Sequence, residues 1–252
     1  MTVSHSDRIG TEAEKVSDRV GVMKLYDQVP KAYQNEIIVR LPYCYHSSLN
    51  ISQGMTANQY KVNSIYDPDL TGVSGNFQPT GRDTWAGIYN YYKVLETKIW
   101  YQFGLLQTIG GQTDYLNAGA DGLPVMVGGM LDITANPPSG YVQWLNAAEL
   151  GQANRQQIFS PIEFVSPLAG QNKICDISMS WNPTLFETAI LDQSTKDTWT
   201  PVGSDPDALE YFSALVQHNG QVASGKGSWF RVHIEYMVSF KQVNRTLLNT
   251  LN

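Results

Sequence analysis

Two short runs, Asp67-Pro68-Asp69 and Asp205-Pro206-Asp207, place a carboxylate on each side of a proline. Loop carboxylates bind hard cations, so Asp67 and Asp69 are the candidate metal ligands of this chain. Two carboxylates nevertheless fall short of the six to eight oxygens that Ca²⁺ takes. The same residues cap turns through Asx hydrogen bonds, and the repetition of the run favours turns. The four histidines, His5, His46, His218 and His233, share no metal-ligand spacing. Gly72-Val73-Ser74-Gly75 is one residue short of a nucleophile elbow. Gly225-Lys226-Gly227-Ser228 lacks the upstream glycine of a phosphate loop and reads as a hairpin turn. Tyr89-Asn90-Tyr91-Tyr92 could stack bases, but helical spacing leaves only Tyr91 exposed. No catalytic set and no cofactor site emerges.

Electrostatics weigh against a phosphate-binding domain. The 252 residues carry a formal net charge of −6 and a pI near 5.2, where a basic stripe would be expected. Residues 1–32 balance five acids against five bases and show no sustained apolar period, which predicts a mobile arm. Lys24, Lys31, Arg40 and Lys98 are the bases available for a nucleic-acid surface. The N-terminus has no apolar stretch of the signal-peptide kind, and no run approaches the length of a membrane span. Cys44 and Cys175 are too few for a disulfide framework, and Cys175 reads as a core residue.

The elements that position these residues are mostly strands. Ile37, Val39, Leu41, Tyr43 and Tyr45 alternate with Ile38, Arg40, Pro42, Cys44 and His46, and Pro42 marks an edge or a bend. Ser47–Asn58 reads as turn, and Gln59–Tyr66 as strand. Asp83 is placed to cap a helix with Trp85, Ile88, Tyr89 and Tyr92 on one stripe. From Val94 the period changes to two, with Leu95, Thr97, Ile99, Tyr101 and Phe103 facing one way. Residues 123–131 form an apolar run whose Gly128-Gly129 signals a bulge or a close approach. Tyr141, Trp144, Leu145 and Ala148 give a helical stripe ending at Gly151. A weak strand follows around residues 156–164, then a clean one at Lys173–Trp181, and a short helix from Asn182-Pro183. Ala208–His218 reads as a strand. Phe230, Val232, Ile234, Tyr236, Val238 and Phe240 make the clearest alternation of all.

About eight strands separated by long uneven loops, with short inserted helices, predict an all-β, double-sheet jelly roll. One domain spans residues 33–245, and residues 246–252 form a tail. Aromatics are abundant, with 14 Tyr, 8 Phe and 6 Trp, against 16% charged residues. A surface so poor in charge suits a chain that buries much of itself in interfaces.

Asn63-Ser64-Ile65-Tyr66-Asp67-Pro68-Asp69, then Thr71-Gly72, Gln78-Pro79, Gly81 and Asp83, followed by aromatics, resembles the single jelly-roll capsid proteins of small circular Rep-encoding single-stranded DNA viruses. The final strand resembles theirs as well. Val73–Phe77 departs from the pattern by lengthening the loop, and the arginine-rich arm common in that family is missing. The resemblance implies a structural, non-enzymatic protein that assembles with itself into an icosahedral T=1 shell of about sixty copies. It further implies a small circular single-stranded DNA genome inside, a place in the virion, assembly in the host nucleus or cytoplasm, and an unspecified host receptor as a further partner. Asp67, Asp69, Phe77, Gln78 and Pro79 are the expected subunit-interface residues. The expectation extends to loops 67–82, 107–122 and 192–207, ordered mainly by neighbouring subunits. A carbohydrate-binding jelly roll using Trp100, Trp144, Trp199 and Trp229 as sugar platforms is the alternative. A cupin-type enzyme ranks last, for want of clustered histidines.

Overall fold

The computed structural model describes residues 35–51, 54–70, 77–105, 125–154, 157–165, 174–186, 199–218 and 226–244. The chain runs β1 (Glu36–Ile51), β2 (Thr56–Lys61), α1 (Arg82–Ile88), β3 (Tyr89–Leu105), β4 (Val125–Asp132), α2 (Tyr141–Asn154) and β5 (Gln157–Phe159). It continues through β6 (Glu163–Val165), β7 (Cys175–Trp181), β8 (Thr200–Pro201), β9 (Tyr211–His218) and β10 (Lys226–Val243). One sheet has the order β1-β10-β3-β7, with β8 on β3; the other has β2-β9-β4-β5, with β6 on β4. All pairings are antiparallel and nested: first strand with last, β2 with β9, β3 with β7, β4 with β5 and β6. That winding is a jelly roll, with one of its eight principal strands split at Pro161 into β5 and β6 and the two-residue β8 added at an edge.

The alternating residues face the sandwich interior as expected. Phe230, Val232, Ile234, Tyr236, Val238 and Phe240 of β10 are all buried, as are Leu41 and Tyr43 of β1 and Cys175, Ile177 and Trp181 of β7. Rings meet within and between the sheets: Tyr101 stacks on Phe230 at 5.7 Å between centroids within one sheet, and Tyr43 meets Tyr60 across the sandwich at 6.3 Å. A buried phenol needs a partner for its hydroxyl. Tyr236 donates to the Lys61 carbonyl at 2.8 Å, while Asn58 Nδ2 donates to Tyr101 Oη at 3.3 Å. Burial raises the pKa of both phenols above the ordinary tyrosine range.

Several local expectations are corrected. β1 continues through Ser47 to Ile51, because Lys226–Phe230 pairs with it; the same pairing makes Lys226–Ser228 strand rather than hairpin turn. β2 stops at Lys61 instead of Tyr66. The helix stops at Ile88, and Tyr89–Lys93 is already strand because β10 supplies partners from Val243 to Ser239. Asp83 does not cap it: the N-cap is Gly81, in the left-handed region at φ 84°, with no side-chain cap. Leu95 is the extra residue of a bulge opposite Met237/Val238, so Val94 and Thr97, not Leu95, face the core. Gly128 and Gly129 pair in unbroken register with Leu215 and Ala214, so they mark a close approach and no bulge. A Cβ on Gly129 would lie 2.9 Å from Met179 Sδ, and one on Gly128 would meet the Trp144 ring. α2 runs past Gly151 to Asn154. Asn182–Phe186 is a turn, with Asn182 Oδ1 accepting from Thr184 N at 3.0 Å; residues 187–190 lie outside the described residues.

Candidate functional site

Where β2 ends, the chain turns out of the sheet and the resembled motif begins. Lys61, the last residue of β2, is 5% exposed. Its Nζ donates to Asp205 Oδ2 at 2.8 Å and lies 3.8 Å from Asp67 Oδ2. The two Asp-Pro-Asp runs, distant in sequence, thus converge on one ammonium. Ser64 Oγ donates to the other Asp205 oxygen at 2.5 Å and lies 3.2 Å from Tyr92 Oη, which donates to the Ser204 carbonyl at 3.0 Å. Asn63 bridges the same two loops, donating to the Ala208 carbonyl at 2.7 Å and accepting from Glu210 N at 3.0 Å. Glu210 in turn accepts from the Trp181 indole. Asp67–Asp69 folds back along β2: Lys61 N donates to the Pro68 carbonyl at 2.8 Å, and Asp69 bridges Tyr60.

The second half of the motif docks on the first. Gln78 Nε2 donates to the Tyr66 carbonyl at 2.7 Å, and Gln78 Oε1 accepts from Arg82 at 3.0 Å. The guanidinium lies over the Tyr66 ring at 5.3 Å, pairs with Asp83 at 2.7 Å, and donates to the Val202 carbonyl. Arg82 is therefore a buried clamp between three loop segments, a role its sequence position did not reveal. Beside it residues 77–84 border an open groove of about 380 Å³. Phe77, at its rim, is 65% exposed; Tyr66 and Leu70 on the same loops are 37% and 38% exposed.

The sequence-derived candidates can now be placed. Asp67, Asp69, Gln78 and Pro79 belong to this platform, with Phe77 presented at its edge. The described parts of loops 67–82 and 192–207 are held by each other within one chain. Residues 71–76, 107–122 and 192–198 lie outside the described residues, as do Thr71, Gly72, Lys24, Lys31, the arm 1–32 and the tail 246–252. Asp67 turns to Lys61, and among the described residues no three His, Cys, Asp or Glu side chains gather as a metal site. Arg40 and Lys98 share the outward face of the β1-β10-β3-β7 sheet, but each meets an acid: Arg40 with Glu235 at 2.6 Å, Lys98 with Glu96 at 3.7 Å. Of the four tryptophans considered as sugar platforms, Trp144 is fully buried and Trp199 is covered by Lys241 at 5.1 Å. Trp229 is half-buried, and Trp100 alone among them is 40% exposed.

No family model matches the chain, and no curated protein does. Solved structures similar to it include the empty head of turnip yellow mosaic virus, at 10% identity over 86% of this chain and 85% of that chain, with a TM-score of 0.38. The BFDV capsid protein, as a 60-mer, is similar at 12% identity over 83% and 95% of the two chains, with a TM-score of 0.36. Cocksfoot mottle virus is similar at 13% identity over 84% and 100%, with a TM-score of 0.35.

Proposed function

We propose that the chain is a viral coat protein that assembles with itself into a closed icosahedral T=1 shell around a small circular single-stranded DNA genome. The observation that carries this reading is the platform built by residues 61–70, 77–84 and 199–210. Its buried polar groups are spent on holding the two loops together, and three large apolar residues, Phe77, Tyr66 and Leu70, are left exposed on it beside Thr80, Asp83 and Thr84. Phe77 is left 65% exposed at the rim of a groove, with Tyr66 and Leu70 also exposed on the same loops, and large apolar side chains presented together suit a contact surface. A pre-organised frame lowers the ordering cost of binding a second copy. The 63–83 resemblance and the nested two-sheet winding support the same role. The burial of Trp144 and the covering of Trp199 weaken the sugar-binding alternative.

Subunit contact, not genome charge, drives assembly in this reading. The first 31 residues are neutral overall, and the bases Arg40 and Lys98 are already matched by acids. A genome-binding arm would make assembly depend on nucleic acid and collapse with salt. Here particles are expected to form without nucleic acid and to persist after nuclease and at about 1 M salt, where the Debye length is roughly 3 Å. Size-exclusion chromatography with electron microscopy tests both statements. Purified wild-type chain should elute as particles, and Phe77→Asp as folded single subunits with an unchanged circular dichroism spectrum. A stable wild-type monomer would overturn the shell. Particles of normal yield from Phe77→Asp would remove the platform from the interface.

A further inference from the structure

The outward face of the β1-β10-β3-β7 sheet holds a thiol–imidazole pair with no part in the platform. Cys44 lies directly opposite His233, and His46 opposite Arg231, in the β1/β10 register. All four stand on the side of the sheet away from the core, since their neighbours Tyr43, Val232 and Ile234 are buried. Cys44 is exposed and in no disulfide, and its Sγ is 2.8 Å from His233 Nδ1. The imidazole is positioned from its other side by Trp100, with ring centroids 5.2 Å apart. A nucleophile in reach of a base that a third group orients is the arrangement of activated thiols. Cys44, His46, Arg231 and the half-buried Trp229 line one shallow pocket of about 360 Å³. Among the described residues no carboxylate pairs with Arg231, in contrast to Arg40 on the same face, which meets Glu235. The pocket is therefore a thiol beside uncompensated positive charge, a setting that favours thiol reactivity.

We propose that Cys44 is a modification site for small disulfides that carry carboxylates. His233 acts as base, and Arg231 with His46 attracts the anion. As Sγ attacks one sulfur of the reagent, its proton passes to His233 Nδ1. The reagent's S–S bond breaks while the Cys44 S–S bond forms, and the second thiol departs as thiolate and takes up a proton from the imidazolium or from water. The disulfide is the only oxidant required. The pair lies outside the platform, so its chemistry does not rest on the proposed function.

The full-length chain at neutral pH is treated with dithiobis(nitrobenzoate), a dianionic disulfide, and separately with neutral dithiodipyridine, and the released chromophore is followed. One thiol should react quickly, while Cys175, buried in the core, reacts only after denaturation. Cys44→Ser should abolish the fast phase. His233→Gln should slow both reagents by at least about tenfold, a bar set below the roughly hundredfold that a positioned base ordinarily supplies. Arg231→Gln should slow the dianionic reagent several-fold and leave the neutral one unchanged. Wild-type Cys44 reacting no faster than a small-peptide thiol at the same pH would overturn the proposal, even if His233→Gln failed to fold. A folded His233→Gln chain with wild-type rates would overturn it too. Equal slowing of both reagents by Arg231→Gln would overturn the preference for anions.

Discussion

Lys61 shows how a single charge organises two loops. Its alkyl stem lies in the sandwich edge, and its ammonium reaches Asp205 at 2.8 Å, where Ser64 supplies a second hydrogen bond to the same carboxylate. The contact with Asp67 is longer, at 3.8 Å, and that carboxylate is 38% exposed, so it ranks with surface pairs worth less than about 1 kcal/mol. Lys61→Met keeps the stem and removes the charge, leaving the Asp205 carboxylate short of a partner at a half-buried place. The expected cost is about 1–3 kcal/mol, read as a lower urea midpoint at unchanged slope, with faster amide exchange at residues 204–210. A midpoint equal to wild type would mean that water replaces the ammonium and that the loops do not depend on it.

At the scale of elements, β10 decides most of the first sheet, because it lies between β1 and β3 and pairs with both along nearly its full length. Ile234 is fully buried between the sheets, whereas Glu235 points outward and meets Arg40. A carboxylate at the first position has no partner and is costly enough to force neutralisation or unfolding. Ile234→Asp is therefore expected to yield no soluble folded chain. Glu235→Gln loses one exposed ion pair and should shift the melting free energy by no more than about 1 kcal/mol. Thermal unfolding of the two variants checks the register: damage from Glu235→Gln with tolerance of Ile234→Asp would place the strand one residue out. The α1/β3 boundary teaches a related point. Trp85, Ile88, Tyr89 and Tyr92 satisfy a helical period, yet Tyr89 onward is strand. Available partners on β10 outweigh a local preference that either conformation could meet.

The whole molecule stores protons in its core. Tyr60, Tyr92, Tyr101 and Tyr236 are all fully buried, and burial raises the pKa of each above the ordinary value of 10.0. Below pH 10 both folded and unfolded chains keep these protons, so stability is unaffected. Above it the unfolded chain releases them while the folded chain does not. The unfolded state then binds fewer protons, and stability falls as pH rises, by up to about 1.4 kcal/mol per pH unit for each such phenol. Urea midpoints of the Phe77→Asp chain, which separates unfolding from disassembly, should drop steeply above about pH 10. Tyr101→Phe should make that fall shallower by about one phenol's share. A midpoint flat to about pH 12 would contradict burial of these hydroxyls in the folded chain.

What the sequence determined by itself is what depends on local period. The inward faces of β1, β7 and β10 follow from alternation, because successive side chains of a strand point to opposite sides whatever their partners are. The need for turns at the Asp-Pro-Asp runs follows from proline, which lacks a ladder donor. The jelly-roll class follows from strand number and uneven loops, and Asn63, Ser64, Asp67, Asp69, Gln78 and Pro79 of the platform stand out through the 63–83 resemblance. The tertiary structure decided everything that rests on pairing between distant segments. Ser47–Ile51 is strand only because Lys226–Phe230 lies beside it, and Trp144 is buried because Gly128 leaves room for its ring. Lys61 meets Asp205 across 144 residues, and Cys44 meets His233 across 189. Neither pair has a sequence signal beyond two polar residues at solvent-facing or loop positions. Sheet order and register bring them together, and those are set by the summed burial of both sheets rather than by any stretch of chain that carries the pair.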